Sequence, residues 1–164
     1  ERYAALKAGS VQATFMGPPF NFRAQQDGFT KIITFHEILG PIQFTADFAH
    51  MNYLKSNRND VVRYLKSMIE ATNWLYDPKN KEEVVAILIP ENRNNKARAE
   101  AMYAESISPR FGFTPRSQID IAGIQSVLQL REIAGLMKPP LPKPEKYIEE
   151  RFYNKAVASL ELNP

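Results

Sequence analysis

Few side chains in this sequence can do acid–base, metal or nucleophilic chemistry. His36 and His50 are the only histidines among 164 residues, and cysteine is absent. That inventory excludes a disulfide scaffold, a cysteine-ligated zinc site, an iron–sulfur cluster and a thiol nucleophile. Asp47 near His50 suggests an acid–base pair, but neither a nucleophile nor a third partner accompanies it. His36 follows an apolar run, where it is a candidate ligand contact weighed against a satisfied structural histidine. Glu82-Glu83 and Glu149-Glu150 look like carboxylate pairs, yet adjacent helical residues do not face each other, so they read as solvated faces. The seven glycines stand at least eight positions apart, which excludes GxGxxG and P-loop phosphate cradles. No metal and no cofactor are expected.

The segment best suited to hold a ligand is Met16-Gly17-Pro18-Pro19-Phe20-Asn21. Gly17 permits close approach of a main chain, Met16 and Phe20 offer adaptable apolar contact, and the Asn21 amide can donate. Pro18 and Pro19 carry no N–H, which weakens the start of the following helix as an anion cradle. The chemistry therefore favours an organic solute with an apolar or aromatic body over a bare inorganic anion. The competing reading has the prolines starting a helix and Phe20 packed in the core.

The elements that must position these residues change character near residue 50. Before it, the sequence predicts a helix over 1–8 stopped by Gly9, a strand over 11–15, a helix over 20–26 closed by Asp27-Gly28, and a second strand over 29–35. A helix between the two strands makes them parallel, and the candidate loop then follows the carboxyl end of the first, where open α/β sheets bind ligands. Gly40-Pro41 breaks the chain, and 42–48 alternates apolar residues at Ile42, Phe44 and Ala46. After residue 50 the pattern is helical. Asn57 caps a helix to Tyr76 with Val61, Leu65, Met68, Ile69, Thr72 and Leu75 on one face. Asp77-Pro78 opens the next, ending at Ile89 before Pro90. Further helices are expected over 94–106 and 120–134, the latter stopped by Gly135, with a loop over 107–116 between them. Residues 138–144 form a stiff proline-rich connector, and a last helix from Pro144 carries Ile148, Phe152, Ala156 and Leu160. Trp74, Tyr76 and Tyr53 fall at core spacing and read as packing.

Chain length suits one ordinary domain, at 18.7 kDa with 44% hydrophobic and 24% charged residues. The net charge of +3 is dispersed: the basic stretches over 79–81 and 93–98 are diluted by Asn and Glu, so no nucleic-acid partner is expected. No apolar run reaches the length of a membrane span. The opening Glu1-Arg2-Tyr3 lacks Met and shows no signal-peptide pattern, so the chain is expected to begin inside a longer protein.

The opening ERYAALKAGSVQATFMGPPF resembles a segment of ABC-importer solute-binding proteins, the NMT1-like branch that handles nitrate, sulfonate, taurine and thiamine-pyrimidine-type ligands. The likeness continues through Gly28-Phe29, NWLYDPKNKEEVVAIL and GIQSVLQLREIAGLMKPPLPKPEKYIEERFYNKA. It implies an α/β, type 2 periplasmic-binding fold, of which this chain resembles the later half. Residues 1–37 would end the second lobe, 38–48 cross between lobes, and 49–164 complete the first lobe. Ile38, Leu39, Gly40, Pro41, Ile42 and Gln43 would form the hinge, and the 16–21 loop with His36 would face the interlobe cleft. Such a half would leave sheet edges unpaired, so it is expected to be poorly stable unless it dimerises or is complemented by an N-terminal half.

What the resemblance implies is a non-enzymatic role. A small organic solute is clamped by hinge closure and delivered to a membrane permease, in the periplasm or on an extracytoplasmic lipid anchor. Two alternatives stand beside it. One is a pyrimidine-precursor synthase of the same fold, whose cysteine ligands have no counterpart here. The other is a helical interaction or sensor module.

Overall fold

The structure, a computed structural model, describes residues 1–91, 95–110 and 112–161, except the side chain of Glu91. Among them are α1 (Arg2–Lys7), α2 (Phe20–Gln26), α3 (Phe35–Leu39), α4 (Met51–Ser56), α5 (Arg58–Tyr76), α6 (Lys81–Glu91), α7 (Lys96–Ser106), α8 (Ile121–Ile133) and α9 (Glu150–Glu161). Short 3₁₀ turns over Pro78–Asn80, Pro115–Ser117 and Pro144–Tyr147 join them.

The described residues contain no strand and no sheet, so the expected α/β architecture with a β-α-β segment is wrong for this chain. The β-prone stretches 11–15, 29–34 and 42–48 are present but irregular. A strand exists only as one side of a ladder, and these three exchange no main-chain hydrogen bonds with one another. Side chains gather them instead. The Phe35 ring lies 4.3 Å from that of Phe15 and 5.6 Å from that of Phe44.

The stretch over 29–35 also ends earlier than its β propensity suggests. Thr34 and Glu37 form a reciprocal capping box, with the Thr34 hydroxyl accepting from the Glu37 N–H and the Glu37 carboxylate accepting from the Thr34 N–H. This satisfies two orphan donors and turns Phe35 into the first residue of α3.

The longest helix, α5, runs between two packing centres. Along its length it packs on α9. Ile69 and Thr72 of α5 are buried, as is Ala156 on the stripe predicted for α9. At its C-terminal end Trp74 and Leu75 pack on Val84 and Val85 of α6 and on Ala99 and Tyr103 of α7. Asp77 accepts from the Lys79 N–H at 3.0 Å and Pro78 takes the first position of the turn, as the sequence requires. Helix α6 then continues through Pro90 to Glu91, two residues past the expected end at Ile89. Asn95 caps α7 through its 2.9 Å bond to the Arg98 N–H; Asn94, where that helix was expected to start, lies outside the described residues. The final helix is split, because Ile148 is extended between the 3₁₀ turn and α9. Asn57 precedes α5 without capping it, its amide donating instead to the Tyr53 carbonyl.

A compact monomer of 18.7 kDa exposes about 8,300 Å², and this chain exposes 11878 Å². The excess is apolar in places that matter. Ile32 and Ile33 are neighbours that would point to opposite faces of a strand, and they are 81% and 56% exposed.

Candidate functional site

The candidate loop leads into α2, whose first turn is closed by the Gly17 carbonyl accepting from the Phe20 and Asn21 N–H groups. No strand precedes it, so its position cannot derive from the carboxyl end of a parallel sheet, as the sequence suggested. It is fixed by helix contacts. On one side, Tyr3 and Lys7 of α1 both bond the Asp27 carboxylate just past α2, the lysine at 2.8 Å. On the other, α2 lies against α7 with polar contacts at both ends: Gln26 with Arg98, and Asn21 Nδ2 donating to Glu105 Oε2 at 3.3 Å.

The loop borders a concave space of about 2890 Å³, walled by the three irregular stretches and by parts of α5, α8 and α9. A formed small-molecule pocket occupies roughly 300–1,000 Å³, so this is an open face rather than a finished pocket. Of the residues expected to touch a ligand, Met16, Gly17, Pro18, Asn21 and His36 line it. Pro19 and Phe20 do not; Phe20 is 49% exposed and stacks on Tyr3 at 6.2 Å. Of the expected hinge, Ile38, Pro41, Ile42 and Gln43 line the same face, while Leu39 and Gly40 lie off it.

The segment expected to bend is anchored at one end. The Gln43 side chain accepts from the Asp120 N–H at 2.9 Å and donates to the Thr45 carbonyl at 2.5 Å. Gly123 in α8 allows this approach, since a Cβ there would stand 2.6 Å from the Gln43 nitrogen. Gly40, by contrast, has φ +68° and nothing within 4 Å of where a Cβ would be.

Several of the other titratable residues are tied into structure. Asp47 does not pair with His50. Burial first, and then the Asp47 carboxylate, push the Tyr64 phenol above its ordinary value. Burial raises Tyr76 as well, and its hydroxyl donates to the Phe113 carbonyl at 2.5 Å. The Thr34 hydroxyl and then its N–H hold Glu37 below the usual carboxylate range. Glu82 and Glu83 are exposed, and Glu149 is bound by Arg151 at 2.7 and 2.5 Å. Tyr53, expected in packing, is 51% exposed. No group of three or more metal-ligating side chains occurs among the described residues.

Two contributors escaped the sequence reading. Glu105 and Asp120 stand 84 and 77 residues from their partners Asn21 and Gln43, so no local pattern could reveal them.

These residues line one open concave face. The NMT1-like family model matches residues 1–89, just over half of the chain, including the 16–21 loop and the whole 38–43 segment. The chain belongs to the NMT1-like family. Its members are mostly binding proteins, typically extracytoplasmic, and membership suggests a solute-binding protein of ABC transporters. No curated protein and no solved structure matches the chain. No described helix is long and apolar enough to cross a membrane.

Proposed function

We propose that the chain is part of the solute-binding component of an ABC importer. It captures a small organic solute on the face bordered by Met16, Gly17, Pro18 and Asn21 and delivers it to a membrane permease outside the cytoplasm. The observation that carries this reading is the family match, which spans the loop on the concave face. No bond-making step is part of it. Residues 1–37 and 49–164 serve as parts of two lobes and 38–48 as the crossing between them. Because 42–43 is held on α8, bending falls on Leu39-Gly40-Pro41, and solute contacts made only in the closed form drive closure.

The excess surface and the unpaired stretches support a partner that covers the concave face, either an N-terminal half or a second copy of the chain. Native mass spectrometry of the purified chain, recording both assembly mass and retained small molecules, tests the reading. The expected result is a complex larger than 18.7 kDa that carries an organic solute. A well-behaved monomer with nothing bound would overturn it and favour a helical interaction module.

A further inference from the structure

The corner between the loop and α7 has a chemical sign. Glu105 is half-buried, lines the concave space, and makes no ion pair among the described residues. Its one protein bond there is the 3.3 Å contact from Asn21 Nδ2, at the long end for an N–H···O bond. That bond uses the donor end of the amide. The acceptor end, Asn21 Oδ1, is buried with no donor among the described residues, so its desolvation is uncompensated. The cation on this face of α7, Arg98, sits seven residues away at the far end of the α2 contact, where it meets Gln26. Seven residues of helix span about 10 Å, a full Debye length at physiological salt, so Arg98 does not neutralise Glu105. Met16 and the buried Met102 supply apolar, polarisable walls beside the corner.

A carboxylate with no ion pair, next to an amide oxygen with no donor, both among the described residues, matches a group that is positive and rich in N–H. We propose that this corner receives the protonated amine of an organic solute, carried on an apolar or aromatic body. The ammonium bridges Glu105 Oε2 and, after a small turn of the amide, Asn21 Oδ1. This rests on the solute-capture reading and names the chemistry of its ligand.

The test uses the ¹⁵N-labelled 164-residue chain and three probes of one shape: benzylammonium, benzyl alcohol and benzoate. The Asn21 side-chain amide resonances report binding at the corner. Benzylammonium is expected to move them saturably and to bind tightest of the three. Glu105→Gln, equal in shape but uncharged, weakens it roughly tenfold, the loss of one charge-assisted bond. Tighter binding of benzoate or benzyl alcohol at Asn21, or an unchanged benzylammonium affinity in Glu105→Gln with wild-type helicity, overturns the amine assignment and leaves solute capture standing. Silence of the Asn21 amide to all three overturns the assignment and removes the solute from this loop. The ranking of probes on the wild-type chain needs no variant to fold.

Discussion

Replacing Gly123 by alanine tests whether the 42–43 segment is seated on α8. The added Cβ would lie 2.6 Å from the Gln43 nitrogen, 2.9 Å from the Ile42 carbonyl carbon and 3.0 Å from Asp120 Oδ2. Two of those atoms are main chain, so no rotamer change relieves them, and helix and segment must part. Overpacking of this kind costs about 1–3 kcal/mol. Parting them also strains the 2.9 Å bond from the Asp120 N–H to Gln43, worth about 1 kcal/mol. Alanine returns about 1 kcal/mol in helix propensity. The net loss is about 1–3 kcal/mol, or a Tm drop of roughly 2–12 °C for a chain of this size. Thermal unfolding followed by circular dichroism measures the shift, and amide exchange at Asp120 localises it. An unchanged or raised Tm with Asp120 still protected would refute the seating, and with it the placement of the bend at Leu39-Gly40-Pro41.

Two further perturbations probe how the site is supported. Lys7 first, and Tyr3 next, hold the Asp27 carboxyl below its ordinary value, so their tie between α1 and α2 is complete above about pH 3.9 and fades as pH falls through the lower, folded-state value. NMR titration of Asp27 should give a midpoint below 3.9, and Asp27→Asn should leave the α1 amides fast-exchanging at every pH; a midpoint at or above 3.9 would count against the tie. Ile69→Ala empties the most buried large side chain of α5, which is 1% exposed. It should cost about 2–5 kcal/mol in denaturant unfolding, and a loss under about 1 kcal/mol would mean that α5 is not held by this residue.

Local signals in the sequence placed most of the helical half, though not the missing Asn57 cap, the break at Ile148 or the end of α6. The apolar face of α5, the Asp77-Pro78 start, the Gly135 stop at φ +70° and the Ala156 stripe all appear where spacing and capping put them. The first half was harder for a physical reason. Ile32, Ile33, Phe44 and Phe48 carry strong β propensity, but propensity does not supply a ladder, and the chain gives these residues no strand to pair with. The Thr34–Glu37 box was the one local cue for α3, and the β-branched run before it masked it. Within the site, the loop was legible because glycine and proline punctuate it. Its partner was not, since Asn21 meets Glu105 only through the antiparallel contact of α2 with α7.

The unpaired 29–34 stretch also bears on how the chain survives in a cell. Between the bonded N–H groups of Phe29 and Thr34, residues 30–33 make no main-chain ladder bonds, and the stretch carries apolar side chains on both faces and a single charge, Lys31, to discourage like-to-like pairing. Such a segment templates cross-β growth when left in water. On the proposed reading, synthesis of this chain is a race between arrival of a covering partner and self-association. Lysine at position 31 and the threonines that flank the run are its gatekeepers, and a holdase bound to this stretch would bridge the interval.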